Sequence, residues 1–200
     1  MDWPAWLRFA RYAIGVVIAI SVPPAIVYWF IIHPFIAFWR RVGMKPTLWL
    51  LGVFMVGSMA ALYPFRDALL GRDLGTSWPA ILLAVPLIVT AAVISRKRRR
   101  HLPFRILSGL PELSPEKHGI GLLTEGIYGR LRHPRYVEFT LALAGWSLFA
   151  NYLGLYVITA LCVAAIYLVV LVEERELRER YGQAYADYSA RVPRFVPRWR

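Results

Sequence analysis

The chain has 200 residues, of which 58% are hydrophobic and eight are tryptophan, with a mean hydropathy of +0.48. An ordinary soluble domain, whose apolar share is about 45–50%, is excluded. The net charge of +12 does not point to nucleic acid. The arginines flank oily segments and no separate polar domain carries a nucleic-acid face, so anionic headgroups and positive-inside topology account for the charge.

Five apolar runs approach the roughly 18–20 residues needed to cross a hydrocarbon core about 30 Å thick, and they predict an all-α, polytopic transmembrane bundle. The first spans about Tyr12 to Ile32, with a kink expected at Pro23-Pro24, where two backbone donors are missing. It is too long, and lacks a small-residue cleavage site, to be a removable signal; it reads as a retained membrane segment. The second runs from Thr47 to Phe65, followed by a polar turn from Arg66 to Thr76. The third covers Trp78 to Ile94, the fourth Tyr136 to Ala150 and the fifth Gly154 to Val172. The fourth is short and carries Glu138 near its start. Residues 1–95 thus hold three spans and 136–172 a helical hairpin, all within one integral membrane domain.

The basic residues orient the bundle. Arg40, Arg41 and Lys45 fall between spans one and two, Arg96 to Arg100 after span three, and Arg191, Arg194, Arg198 and Arg200 after span five. With five spans they share one side, which places the N-terminus outside and the C-terminus in the cytoplasm. A bacterial inner membrane is the expected setting.

Residues 96–135 form the longest non-membrane stretch, and glycines and prolines from Gly109 to Gly129 make it read as loop and turns. From Glu173 to Arg191 an apolar stripe recurs at Leu177, Tyr181, Ala184, Tyr185 and Tyr188. That spacing predicts an amphipathic helix continuing span five or lying along the interface, ended by Pro193 and Pro197.

Two polar clusters carry the chemistry. One is the stretch Leu123 to Tyr136, containing Gly126, Tyr128, Arg132, His133 and Pro134; the other is Glu173-Glu174-Arg175-Glu176 with the tyrosine helix behind it. Each has a plain reading. Basic residues before a membrane helix satisfy the positive-inside rule, and Pro134 suits a first helical turn. Solvated glutamates can simply mark the end of span five, although negative charge there opposes the helix dipole. His33, His101 and His118 are isolated and read as structural or surface residues. No histidine set has metal-ligand spacing, and Cys162 is the single cysteine, so no metal and no intrachain disulfide is expected.

Together the clusters are more specific. The chain resembles the isoprenylcysteine carboxyl methyltransferase and phospholipid methyltransferase superfamily, whose pattern is L-x-x-x-G-x-Y-x-x-x-R-H-P-x-Y, a hairpin, then E-E-x-x-L with a Y-G-x-x-Y-x-x-Y helix and V-P-x-x-x-P. Leu122, Gly126, Tyr128, Arg132, His133, Pro134 and Tyr136 match the first part. Glu173, Glu174, Leu177, Tyr181, Gly182, Tyr185, Tyr188, Val192, Pro193 and Pro197 match the second. Ile127 departs from the proline that commonly follows the glycine.

The resemblance implies S-adenosylmethionine as cofactor and a lipid-like or lipidated acceptor in the membrane. Glu173 or Glu174 would accept from its ribose or ammonium, and Arg132 and His133 would hold its carboxylate. Tyr128 and Tyr136 would flank the adenine or sulfonium, with Gly126 and Tyr185 completing the cofactor site. Arg132 and Glu174 are the expected catalytic pair. The acceptor's nucleophile stays open among carboxylate, amine, thiol and hydroxyl. Two alternatives are a membrane reductase using NADPH and similar to steroid 5-alpha-reductases, for which Glu138 after the R-H-P-x-Y loop speaks, and a non-catalytic membrane protein.

Overall fold

A computed structural model describes residues 3–32, 35–99 and 121–197. His33, His101, His118 and most of the expected loop between spans three and four lie outside the described residues. Within them the fold is helical: α1 (Ala5–Ile32), α2 (Ile36–Val42), α3 (Met44–Leu62), α4 (Arg66–Leu70), α5 (Trp78–Arg99), α6 (Pro134–Ala150), α7 (Leu153–Tyr181) and α8 (Gln183–Arg191). Short 3₁₀ turns occupy Tyr63–Phe65 and Gly126–Gly129.

Four helical stretches are long and apolar enough to cross a membrane: Ala5–Ile32, Met44–Leu70, Trp78–Arg99 and Leu153–Tyr181. The fifth, α6, has 17 residues, about 26 Å at 1.5 Å per residue. It lies antiparallel to α5, so the fold is a polytopic transmembrane bundle of about five spans.

Several boundaries differ from the sequence reading, each for a local reason. Helix α1 begins at Ala5 rather than near Tyr12 and is unbroken through Pro23 and Pro24. Its early turns tolerate Arg11 because that guanidinium is neutralised by Asp73. The expected polar turn at Arg66 is instead α4, whose Leu70 is buried against Gly15 of α1. Helix α5 runs on through Arg99, because positive charge at a helix C-terminus is favoured by the dipole. The C-terminal amphipathic helix is two pieces: α7 continues to Tyr181, Gly182 turns with φ +52°, and α8 follows.

Lipid is as apolar as leucine, so helices here associate through close packing and polar contacts rather than hydrophobic exclusion. On α5 the buried residues are Ala84, Ala91 and Arg98, spaced by seven along one face. Gly145 of α6 meets that face, and a methyl group there would stand 2.6 Å from Ile88 Cγ1 and 3.1 Å from the Ala84 carbonyl oxygen. Helices α6 and α7 are tied by Ser147 and Thr159 hydroxyls 2.9 Å apart. The core between α1, α6 and α7 contains Val16, Ala19, Leu143, Leu155, Cys162 and Ile166.

Candidate functional site

The hairpin of α6 and α7 decides where the chemistry assembles. Entry to α6 and exit from α7 lie at one end of the bundle, so residues 132–133 meet 173–174. Glu174 is only 2% exposed. His133 Nε2 is 3.0 Å from its Oε1, and Arg132 Nη2 is 3.3 Å from the same oxygen. Arg194 donates to both carboxylate oxygens, from Nε at 2.9 Å and Nη2 at 2.6 Å. This fork-to-carboxylate geometry is the strongest form of charge-assisted hydrogen bond. Arg178, one turn beyond Glu174, reaches it at 3.7 Å while staying exposed.

The chain beyond α8 returns to this cluster. The backbone N–H groups of Arg132 and His133 donate to the carbonyls of Pro193 (2.9 Å) and Arg194 (3.2 Å). Phe195 stacks obliquely near His133 and Tyr167, with ring centroids 6.1 and 6.4 Å away. Pro193 and Pro197 restrict the backbone of this strap, and the hydrogen bond to Glu174 holds the Arg194 guanidinium above its already high ordinary pKa.

Helix α8 supplies the opposite wall. Tyr185 and Tyr188 are buried with Val192, packed on Leu122, Leu177 and Tyr181. The Tyr188 hydroxyl donates to the Tyr128 carbonyl at 2.7 Å, which fixes the 3₁₀ turn over the tyrosine helix. That turn starts at Gly126 with φ +60°, a left-handed conformation that favours glycine. Burial, against the opposing pull of Arg98, pushes the Tyr128 phenol up to about 12. Burial and the negative charge of Glu174 push Tyr185 up to about 12 as well. Both phenols are therefore protonated donors across the neutral range.

Three buried polar atoms in this cluster have no hydrogen-bond partner among the described residues: Arg132 Nε, Glu173 Oε2 and the Tyr185 hydroxyl. Glu173 Oε2 stands 3.8 Å from His133 Nδ1, beyond hydrogen-bond reach. Leaving such groups unsatisfied costs roughly 1–3 kcal/mol each.

Of the residues expected from the sequence, Arg132, His133, Glu173, Glu174 and Tyr185 come together, with Tyr128 on the turn beside them. Tyr136 is buried one turn into α6, edge-on to Trp29 with centroids 5.4 Å apart and 5.8 Å from the His133 ring. Gly126 contributes backbone shape. The sequence reading assigned no site role to Arg194 or Arg98, and took Tyr188 only as part of the tyrosine stripe. Arg194 sat among tail arginines that topology already explained; its signal was its place inside V-P-x-x-x-P. Arg98 was one member of a basic run, and only its register with Ala84 and Ala91 marks it as inward-facing.

Comparison with known proteins matches this half of the molecule. The family model for phospholipid methyltransferase covers residues 79–184. Delta(14)-sterol reductase LBR of Gallus gallus is 30% identical over 163 residues, 72% of this chain and 23% of its own. Protein-S-isoprenylcysteine O-methyltransferase B of Arabidopsis thaliana is 32% identical over 103 residues, 46% of this chain and 47% of its own. The nickel-cobalt-cadmium resistance protein NccN of Alcaligenes xylosoxydans xylosoxydans is 35% identical over 77 residues, 38% and 36% of the two chains. The chain spans less than half the length of each of these relatives. No solved structure matches. With a family model matching more than half of its residues, the chain belongs to the phospholipid methyltransferase family.

Proposed function

We propose that the chain is a membrane methyltransferase that binds S-adenosylmethionine at the end of the bundle carrying Arg132, His133 and Glu174, and acts on a lipid-like or lipidated acceptor. Family membership supports the reaction class. The observation that carries the site is the cluster of unpaired buried atoms, Arg132 Nε, Glu173 Oε2 and the Tyr185 hydroxyl.

These atoms fit the cofactor's chemistry. A guanidinium N–H suits its carboxylate, a carboxylate oxygen suits its ammonium or ribose hydroxyls, and a phenol serves either. When bound, S-adenosylmethionine supplies a methyl group on a positively charged sulfur. Arg132 contributes by contact and Tyr128 and Tyr136 by aromatic faces that attract a cation. Glu174, whose oxygens are already met by His133, Arg132 and Arg194, carries the reaction by holding Arg132 and His133 in place. Methyl transfer gains most of its rate from such positioning. The acceptor's nucleophile is any of carboxylate, amine, thiol or hydroxyl. By the distribution of basic residues, this end faces the cytoplasm and the N-terminus lies outside, in a bacterial inner membrane.

The test is equilibrium binding of S-adenosylmethionine to the detergent-purified protein, beside Arg132→Lys, His133→Ala and Glu174→Gln. Arg132→Lys and His133→Ala should each weaken binding on the order of 10- to 150-fold, the worth of one charge-assisted contact, and Glu174→Gln should weaken it by releasing Arg132 and His133 from their anchor. Lysine fails at position 132 because a point charge does not reproduce the fork. Parent-like binding by all three would reduce these residues to membrane-boundary markers. The likeness to a sterol reductase over 72% of the chain favours a second reading, an NADPH-dependent membrane reductase. Binding of NADPH in place of S-adenosylmethionine would select it.

A further inference from the structure

Arg98 stands apart from the cluster around Glu174. It is the last inward-facing residue of α5 and is 5% exposed. Its Nε and Nη2 donate to Glu138 of α6 at 2.7 and 3.2 Å. This fork uses one edge of the guanidinium, and Nη1 is buried with no partner among the described residues. Were the pair only a strut between α5 and α6, the protein would leave a charged donor buried and unsatisfied for no return. The clasp at the other end of the bundle shows the contrast: there Arg11 uses Nε, Nη1 and Nη2 on Ala150, Thr76 and Asp73.

The position also matters. Arg98 closes a membrane-spanning helix, at the depth where lipid headgroups lie, and basic pockets between spans at that depth suit lipid phosphates. The turn Gly126–Gly129, which carries Tyr128, packs against α5, and the Tyr128 phenol lies within electrostatic reach of both Arg98 and Glu173.

We propose that Arg98, clamped by Glu138, is a binding residue for an anionic oxygen group, phosphate or carboxylate, on the headgroup of a membrane lipid at the acceptor's side of the site. Glu138 fixes the guanidinium plane, and the free Nη1–H meets the anion. This inference rests on the reading of this end as the methyl-transfer site only for the lipid's role as acceptor; the anion site itself stands or falls separately.

The probes are dioctanoyl phosphatidic acid and dioctanoylglycerol, which share chains and differ by the phosphate, titrated against the detergent-purified full chain beside S-adenosylmethionine. The parent should prefer the phosphatidic acid, and Arg98→Gln should remove about tenfold or more of that preference while S-adenosylmethionine affinity stays within about twofold. Because Arg98→Gln leaves the half-buried Glu138 without its partner, the double variant Arg98→Met/Glu138→Leu removes both charges together and should show the same lost preference in a folded bundle. A parent without the preference, or variants that keep it, would overturn the proposal. So would variants that lose S-adenosylmethionine but not phosphatidic acid, which would give the nitrogen to the cofactor. A parent that binds phosphatidic acid through Arg98 but no S-adenosylmethionine would sink the methyltransferase reading and leave the anion site standing.

Discussion

The two ends of the bundle use the same device, a buried arginine facing an acid, and complete it differently. At one end Arg11, 2% exposed, meets Asp73, the Thr76 hydroxyl and the Ala150 carbonyl. Around it Asn151, in a left-handed turn at φ +57°, donates to the Gly75 carbonyl and accepts from the Tyr156 hydroxyl. The Leu74 and Leu153 N–H groups donate to Asn151 and Arg72. This clasp ties the 71–76 loop to the α6–α7 turn, and every guanidinium nitrogen of Arg11 has a partner. At the other end Glu174 is saturated, yet Arg132, Glu173, Tyr185 and Arg98 each keep an unpaired buried atom. Saturation is what a structural joint needs; unpaired donors and acceptors in one place are what a ligand completes.

The largest expected effect separates the ends by kind. Replacing Arg11 with methionine removes three hydrogen bonds from a charged donor and should cost about 1.5–3 kcal/mol of stability or more, read from chemical unfolding in detergent. S-adenosylmethionine affinity in the fraction that stays folded should be unchanged. Glu174→Gln should lower both stability and affinity, since one buried carboxylate anchors both His133 and Arg194. Equal losses of affinity in the two variants would erase the distinction between joint and site.

The division also explains what the sequence revealed. Apolar runs located the spans because in lipid the helix is the backbone's own solution to hydrogen bonding, and that logic is local. Arg132, His133 and Glu174 were legible through the resemblance of their two clusters to one family pattern, and the hairpin between the clusters returns the chain to one face. The clasp was not: Arg11 and Asp73 lie 62 positions apart, across two spans whose packing no local pattern encodes. The first span was accordingly expected from about Tyr12, whereas the neutralisation of Arg11 by Asp73 lets α1 begin at Ala5. Arg194 escaped for a related reason. A positive charge in a tail satisfies topology so well that its second use, a fork onto Glu174, leaves no separate trace. The break at Gly182 was hidden because an apolar stripe continues on both sides of it, whereas the backbone turns at positive φ.

The smallest effect is the sharpest. Tyr185 is 1% exposed and its hydroxyl has no partner among the described residues. At a saturated joint, deleting a buried hydroxyl loses a hydrogen bond and lowers stability. Here Tyr185→Phe removes a group that the folded protein already holds at a cost, so unfolding free energy should hold steady or rise by up to about 1–2 kcal/mol. If the hydroxyl serves the cofactor, S-adenosylmethionine affinity should fall by several-fold, toward the tenfold that a neutral hydrogen bond is worth at about 0.5–1.5 kcal/mol. The pH dependence fixes the species. Burial and Glu174 raise this phenol from 10 to about 12, so the folded state retains the proton more tightly than the unfolded chain. Its contribution to stability is complete below pH 10 and is lost as pH rises from 10 through about 12. Parent and Tyr185→Phe should therefore differ in affinity by a constant factor from pH 7 to 9, and the parent alone should shed the stability linked to this phenol above pH 10. A phenylalanine variant that is markedly less stable yet binds S-adenosylmethionine like the parent would show that the hydroxyl belongs to a joint, and that unpaired atoms at this end do not mark a site.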